Sequence, residues 1–326
     1  MDAGRSTVEW LYKEQLRVDD GWSVRRSDGF TWWPYRHAQH VDVIGSEAGP
    51  DGNAGYFVRV KTDFVRDVDL SDLTFDGIEL LMSTATMSGL TYEPETRLLS
   101  LSSLVNVHEG IRPWMSRLIS VAAMLQAGDA HFIAASISGV LGGQSAESGH
   151  PENGVRPEPD ELAKDFTPVM AATGKEPSRW TEHEFQHAVE QYMQRPPAQL
   201  ATGGQGLTVK LPYGQRSSLC EIRGDQVHPR IGNGLLLLQS FPVSSITETD
   251  GARLALELND EELNKKPSGY GFGSYCFRDN CVRFNGFIPN AAYAAGLLPD
   301  IYISCVGRAH VMSEWLSDTN EPSAKS

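Results

Sequence analysis

The sequence predicts an α+β protein built from two tandem copies of one unit, each a twisted antiparallel sheet flanked by helices. The first observation is a repeated phrase, GFTWWPYRH near the N-terminus and GLTVKLPYG in the second half. The second is that each phrase is followed, after a polar interval, by a Gly-Asn turn and an apolar run. The third is a nearly constant spacing between matching residues, from Gly29 to Gly206, Pro34 to Pro212 and Asn53 to Asn233. A fixed spacing of this kind indicates an internal duplication.

Hydrophobic periodicity predicts the elements of the first copy in the order α-β-β-β-α-β-β-α, in which the short paired strands at 22–24 and 30–33 count as one β unit. A first helix is expected at 7–18, capped by Ser6 or Thr7, and a long apolar helix from 114 to about 141, just after Pro113. Between these helices the pattern predicts paired strands at 22–24 and 30–33, strands at 40–44 and 56–64, a helix at 75–86, and strands at 90–92 and 97–107.

The second copy has the same predicted order. Helices are expected at 181–193, 252–264 and 299–316, and strands at 207–211, 218–223, 235–241, 270–277 and 282–287. The resulting domains are 6–141 and 181–317. The segment 142–180 is rich in Pro, Gly and Glu, which predicts a linker or a loosely docked strap. The tail 318–326 is polar and is predicted to be disordered.

Length and charge restrict the class of protein. A chain of 326 residues is long enough for about two domains. The net charge of −14 argues against nucleic-acid binding, which needs clustered Lys and Arg. The sequence shows neither a membrane-length apolar run nor a secretory signal, so a cytoplasmic protein is expected. The four cysteines, without a C-x-x-C pair, are expected to be buried thiols, and no cofactor is predicted.

The order of elements, and the phrase HPRIGNGLLLLQSFPV in particular, resembles the fold shared by type III secretion chaperones and the YbjN family. The resemblance covers most of 6–141 and 181–317. It implies a sheet flanked by helices in each copy, and a tandem chain that forms an internal pseudo-dimer as a monomer. The resemblance also implies non-covalent binding of a peptide or protein client. It provides no catalytic residues that could be assigned to this chain.

A cluster of aromatic residues in the first copy is the candidate peptide-binding surface. Phe30, Trp32, Trp33 and Tyr35 are large, and Trp and Tyr are frequent anchors at interfaces. An open sheet face or edge can accept an extended peptide. The alternative is that these aromatics fill the core, where most aromatic side chains lie. Strand alternation places Phe30 and Trp32 on one face and Trp33 on the other.

A rival function comes from the segment His-Glu-Phe-Gln-His at 183–187. It fits the zinc-peptidase pattern, in which His183 and His187 bind zinc and Glu184 acts as general base. However, Thr181 and Glu184 form a capping box, which places the pair in an exposed first turn and commits Glu184 to a backbone amide. A third possibility is a regulatory scaffold. We therefore expect a peptide-binding protein, with a metal-dependent hydrolase or a scaffold as the alternatives.

Overall fold

A computed structural model describes residues 1–49, 53–70, 75–83, 86–164, 176–192, 201–202, 205–228, 231–243 and 246–318. Residues 1–164 are called the first half here and residues 176–318 the second half. The first half contains α1 (Ala3–Trp10, extended by a π-helical turn at Leu11–Gln15), β1 (Ser23–Arg25), β2 (Gly29–Trp32), β3 (Gln39–Ala48), β4 (Ala54–Arg66), α2 (Phe75–Ser83), β5 (Gly89–Glu93), β6 (Leu98–Val107), α3 (Arg112–Val140) and β7 (Gln144–Ser145).

The second half repeats this order among its described residues. It contains α4 (Glu182–Tyr192), β8 (Ala201–Thr202), β9 (Gly206–Tyr213), β10 (Arg216–His228), β11 (Gly232–Pro242), α5 (Glu248–Asp260, extended by a π-helical turn at Glu261–Lys265), β12 (Tyr270–Gly271), β13 (Ser274–Arg278), β14 (Cys281–Pro289) and α6 (Leu297–Asp318). Apart from residue 318, the predicted tail lies outside the described residues.

The chain forms two antiparallel sheets, which confirms the predicted α+β class. The first sheet has the order β1-β2-β3-β4-β6-β12, with β5 also paired to β6 and β7 to β4. The second has the order β13-β14-β11-β10-β9-β8. The central order β2-β3-β4-β6-β5 of the first sheet therefore matches β9-β10-β11-β14-β13 of the second.

Two local features show how residue chemistry sets the ends of elements. The first helix begins earlier than predicted, because the Asp2 side chain accepts a hydrogen bond from the Arg5 amide at 2.8 Å and serves as the N-cap. Thr7, a predicted cap, is buried inside the helix and donates to the Ala3 carbonyl. The turn between β13 and β14 consists of Asp279 and Asn280, both with positive φ, as a tight two-residue hairpin requires.

Each sheet packs one face, called the inner face, against its long helix. In the first half, α3 contacts β4 and β6, and α1 contacts β3 and β4. In the second half, α6 contacts β9, and Arg308 of this helix lies over the Phe284 ring of β14 at 3.6 Å. The opposite face of each sheet is called the outer face.

The two halves exchange short segments where they meet. Tyr270 and Gly271 of β12 pair with Val105 and Leu104 of β6, so a piece of the second half extends the first sheet. In return, the Phe287 amide of β14 donates to the Thr86 carbonyl of the first half at 2.9 Å. Helix α2 also contacts β13, and α5 contacts β5. The halves are therefore interlocked in the structure.

The contact between the halves leaves no space for a side chain at Gly89. A Cβ atom there would lie 2.7 Å from the Gly273 carbonyl oxygen and 2.4 Å from a methyl group of Leu263. Only glycine permits this approach of two backbones. Substitution at Gly89 is therefore expected to push the two halves apart.

Candidate peptide-binding surfaces

Two of the four predicted peptide-binding aromatics lie in the core of the first half. Phe30 and Trp32 are 1% and 0% exposed. Phe30 packs edge-on against the Tyr12 ring, with centroids 5.0 Å apart, and the Trp32 indole donates to Gln39 Oε1 at 2.9 Å. The interpretation of these residues as a docking surface is therefore corrected. Their strand turns them toward the helices, where aromatic area contributes most to stability.

The other two aromatics contact different parts of the first half. Trp33 is buried, and its indole donates to Ser148 Oγ at 3.0 Å. Tyr35 is half-buried and packs edge-on against the His131 ring, with centroids 5.0 Å apart. We call residues 144–164, which cover Trp33, the strap.

The strap begins as an added strand of the first sheet. Residues of β7 pair antiparallel with Val65 and Arg66 at the end of β4, and the Ala146 amide donates to the Phe64 carbonyl at 3.0 Å. The Ser148 amide then donates to the Arg36 carbonyl at 2.7 Å. Main-chain hydrogen bonds of this kind hold an extended peptide at a sheet edge whatever its side chains are.

Buried polar side chains hold the rest of the strap. The His150 ring packs edge-on against Trp33, with centroids 5.3 Å apart, and its Nδ1 accepts two strap amides. Arg156, which is 8% exposed, donates to the Trp33 carbonyl at 2.8 Å and to Asp160 Oδ2 at 3.1 Å. The Asp160 amide donates to the Pro34 carbonyl at 2.7 Å.

Residues 144–164 of the predicted linker are therefore docked on the first half, whereas residues 176–180 contact the second half, where Asn233 and Asn290 donate to the Glu176 and Pro177 carbonyls. The composition of the linker, poor in apolar residues, predicted little burial. The strap is held by main-chain hydrogen bonds and by buried polar side chains that have hydrogen-bond partners. A hydrophobic pattern in the sequence shows neither of these.

A histidine at the start of β3 joins the sheet to the strap. His37 is 6% exposed and its Nε2 lies 2.9 Å from Ser145 Oγ. Burial lowers the pKa of His37, because the charged imidazolium loses its hydration, and the nearby Glu147 carboxylate offsets part of this effect. The neutral form of His37 therefore favours the docked strap.

The solvent-accessible part of the outer face of the first sheet is polar, and its charges are paired. Asp42 accepts two hydrogen bonds from Arg59, at 2.9 and 3.2 Å. The His40 ring lies 2.8 Å from Thr31 Oγ1 on one side and 3.3 Å from Asp63 Oδ1 on the other. This surface resembles the solvated face of an ordinary antiparallel sheet.

The outer face of the second sheet is different, because three leucines lie on it. Leu219 of β10 is 38% exposed, and Leu236 and Leu238 of β11 are half-buried. Their neighbours Leu235 and Leu237 are buried on the inner face, as alternation along a strand requires. We call Leu219, Leu236 and Leu238 the leucine patch.

Strand register shows which residues of the first sheet correspond to the leucine patch. In the first sheet one outer row runs Thr31, His40, Lys61 and Ser102; in the second it runs Thr208, Glu221, Leu238 and Asn285. Both rows begin at the threonine of the repeated Gly-x-Thr phrase.

The adjacent rows place Arg59 of the first sheet opposite Leu104, and Leu236 of the second opposite Phe287. Lys61 and Leu238, and likewise Arg59 and Leu236, are therefore matched positions.

The segment 183–187 lies at the start of α4, as predicted. His183 and His187 are exposed with parallel rings 6.3 Å apart. Both carboxylate oxygens of Glu184 are engaged: Oε2 accepts from the Thr181 amide at 3.4 Å, and Oε1 accepts from the Tyr293 hydroxyl at 2.6 Å. Among the described residues no group of three or more His, Cys, Asp or Glu side chains is placed to hold a metal ion.

An open groove of about 890 Å³ runs between the end of the first helix and the strap. Its lining includes Trp22, Arg17 and several carboxylates. Arg156, which also lines the groove, already donates to Asp160 and, at 3.4 Å, to Asp19, so its charge is balanced within the fold. The groove is therefore mainly a polar surface along the line where the strap meets the end of the first helix.

One helix in the described part of the chain, Arg112–Val140, is long and apolar enough to cross a membrane by length and composition. Of its most apolar stretch, 61% is buried inside the fold. A helix that packs against β4 and β6 in this way is also what the core of a globular protein requires.

No protein-family model, no curated protein and no solved structure matches the chain. The resemblance to type III secretion chaperones and the YbjN family therefore stays a prediction.

Sequence reasoning missed the leucine patch, although the repeat contained its signal. The inner-face residues of VRVKTDF in the first copy and LLLLQSF in the second are similar, whereas Arg59 and Lys61 of the first are replaced by leucines. An apolar residue at an outward position of one copy alone indicates a surface with a special role. The buried polar residues of the strap left no comparable signal, because their partners are distant in sequence.

Proposed function

We propose that this protein binds an extended segment of a partner protein, without chemistry, across the leucine patch. The observation that carries this proposal is the presence of leucines on the outer face of the second sheet, where the matched positions of the first sheet have Arg59 and Lys61. Contiguous apolar side chains on the surface of a soluble domain mark interaction sites more often than scattered ones do.

The arrangement of the three leucines suits an extended segment. Leu236 and Leu238 are two positions apart on β11, and Leu219 is paired with Ser240, which makes it a diagonal neighbour of Leu238. Diagonal neighbours in a sheet are roughly 7–8 Å apart, within reach of one another's side chains. A peptide with apolar residues at alternate positions matches this spacing.

The charges around the patch favour a segment that also carries acidic residues. Lys210 and Arg223 border the leucines, and Glu221 lies between them in the sheet. A basic border is unusual in a chain with a net charge of −14. Complementary charge contributes to partner choice and to the rate of association.

The fold supports the same function. Two sheets with a common strand order and exchanged segments are what a tandem chaperone-like pseudo-dimer would have, and on this basis we propose that architecture. The first sheet already holds an extended segment, its own strap, by main-chain pairing at the end of β4. We propose that the second sheet holds a client segment through the side chains of its outer face, because the main chains of β10 and β11 are already paired within the sheet.

Capture with matched variants tests the proposal. The full chain, Leu238→Lys and the control Lys61→Gln would each serve as bait in native cell extract, with folding checked by circular dichroism. We expect a partner that the wild type and Lys61→Gln retain and that Leu238→Lys loses. Overlapping peptides of that partner would then be measured by fluorescence anisotropy, and we expect the binding peptide to be apolar and acidic.

Two results would overturn the proposal. One is a folded wild-type bait that captures no partner. The other is a partner that binds Leu238→Lys as well as it binds the wild type, since this would place the binding surface elsewhere. Trp32→Ala is not a useful variant here, because Trp32 is fully buried and its loss would damage the core.

A further inference from the structure

Two cysteines from distant parts of the second half meet on the inner face of the second sheet. Cys220 belongs to β10 and Cys305 to α6, and they are 85 positions apart in the sequence. Both are free thiols with 0% exposure, and their Sγ atoms are 3.1 Å apart. A disulfide bond has a length of about 2.05 Å, so a shift of about 1 Å joins them.

The surrounding contacts hold the two sulfurs in place. Gln239, the cross-strand partner of Cys220, donates through Nε2 to the Cys305 carbonyl at 2.8 Å. One turn further along α6, Arg308 is fully buried and bound to Glu262 at 2.8 Å. The helix is therefore held to the sheet at Cys305 and to the extension of α5 one turn further on, and among the described residues the only hydrogen-bond partner of either thiol is the other thiol.

The other two cysteines are arranged differently. Cys276 is buried, and its sulfur accepts from Asn285 Nδ2 at 2.8 Å. Cys281 is half-buried at the start of β14. Cys276 pairs with Arg283 and Cys281 with Arg278, so the two cysteines are not opposite each other in the hairpin. They provide internal controls for any reaction at the first pair.

We infer that Cys220 and Cys305 are a disulfide-forming pair that oxidised glutathione, or another low-molecular-weight disulfide, converts to a cross-link between α6 and β10. The thiolate of one cysteine attacks a sulfur of oxidised glutathione, forms a mixed disulfide and releases one glutathione thiolate. The second cysteine, as its thiolate, then attacks the mixed disulfide at the cysteine sulfur and releases the second glutathione. In total two protein thiols lose two electrons and two protons, and one oxidised glutathione becomes two reduced molecules.

The environment of the pair sets its rate. The hydrogen bond with the Cys305 thiol, together with burial, raises the pKa of Cys220 well above its ordinary value, and only the thiolate attacks. The reaction is therefore slow in the folded protein and fast when α6 opens or while the chain folds. Once formed, the bond ties the last helix to the sheet and closes a loop that contains β11, α5, β13 and β14.

The test uses the purified full chain in two parallel samples. One is held folded in a buffer of oxidised and reduced glutathione; the other is unfolded in urea and refolded in the same buffer. Remaining thiols are blocked with N-ethylmaleimide and the digest is mapped by mass spectrometry. We expect a peptide that joins Cys220 to Cys305, blocked Cys276 and Cys281, and faster formation in the refolded sample.

Matched variants separate the cross-link from general oxidation. Cys276→Ser should keep the cross-link, and Cys305→Ser should lose it. The oxidised wild type should unfold several degrees above the reduced protein, because the bond restricts the unfolded chain. The inference is overturned if refolded protein shows both Cys220 and Cys305 blocked by maleimide, carries only glutathione adducts, or pairs these cysteines with Cys276 or Cys281.

Discussion

The two sheets connect to their long helices through the same row of inner-face residues, but with different chemistry. In the first sheet this row includes Trp32, Gln39 and Thr62, and in the second it includes Val209, Cys220 and Gln239. Gln39 donates to the Ala123 carbonyl of α3, and Gln239 donates to the Cys305 carbonyl of α6. An amide side chain therefore joins sheet to helix in both halves.

The first half surrounds this amide with other neutral groups. Thr62 donates to Gln126 Oε1 at 3.0 Å, and Gln126 Nε2 donates to Ser103 Oγ at 2.9 Å. Gln39 and Gln126 are fully buried, and their hydrogen bonds connect β3, β4 and β6 to α3. A network of this kind contains no thiol and no charged group.

The second half uses thiols and a buried ion pair instead. The thiols of Cys220 and Cys305 face each other, and Gln239 Oε1 is buried without a hydrogen-bond partner among the residues that the structure describes. Arg308 binds Glu262, which also accepts from the Tyr275 hydroxyl at 2.7 Å. The same backbone arrangement therefore accommodates either a neutral hydrogen-bond network or a pair of thiols beside a buried ion pair. This difference also places the response to oxidants in the second half.

The largest effect is expected at the buried ion pair. Glu262→Ala leaves the Arg308 guanidinium, 0% exposed, without its counter-ion, so we expect a loss of ~3–5 kcal/mol in the free energy of unfolding. Urea denaturation measures this change. Arg253→Ala, which breaks an exposed pair with Asp250, should cost less than ~1 kcal/mol. Similar losses in the two variants would contradict the assignment of the ion pair to the core.

The neutral network should be the next most sensitive. Gln126→Leu removes the partner of Thr62 and Ser103, and we expect a loss of ~1–3 kcal/mol for the buried groups left unpaired. Gln239→Leu is the comparison in the second half, because Gln239 also joins the sheet to its long helix. It should cost less, because Gln239 already has an unpartnered oxygen. Calorimetric unfolding of both variants checks this order, and the reverse order would show that the two networks are not comparable.

The docked strap should make stability depend on pH through His37. The folded-state pKa of His37 is lowered by burial, whereas the unfolded value is about 6.5. Stability from this group is full above about pH 6.5 and falls as the pH drops from there toward the lowered pKa, because the unfolded chain binds the proton first. His37→Gln should flatten this part of a stability–pH curve measured by urea denaturation. A curve that His37→Gln leaves unchanged would assign the pH dependence to other groups.

The smallest effect on stability is expected at the leucine patch. Leu219→Ser alters a side chain that is 38% exposed, so the free energy of unfolding should change by no more than ~0.5 kcal/mol. The same variant should weaken partner binding at least tenfold in an anisotropy titration. A large loss of stability with unchanged binding would show that Leu219 packs within the fold and is not part of a recognition surface.

Much of the architecture could be predicted from the sequence, because local patterns carried it. The Gly-x-Thr phrases at Gly29 and Gly206 begin the matching strands β2 and β9, and the Glu184 carboxylate accepts the Thr181 amide, which is one of the two hydrogen bonds of the predicted capping box. The α+β class follows from alternating strands and amphipathic helices. The assignment of Phe30 and Trp32 to a surface failed, since alternation separates the two faces of a strand but does not say which one is covered.

The amino-acid sequence alone was enough to predict the repeated phrases, most of the helices and strands in their order, and the amphipathic character of these elements. Turn residues, caps and hydrophobic periods act over a few positions and can be recognised without the fold. Long-range packing sets the features that the sequence did not reveal: the segment that covers Trp33, the contacts of Thr86 and β12 between the two halves, and the cysteine that meets Cys220. These depend on contacts between residues far apart in the chain, and such contacts arise from the packing of whole elements.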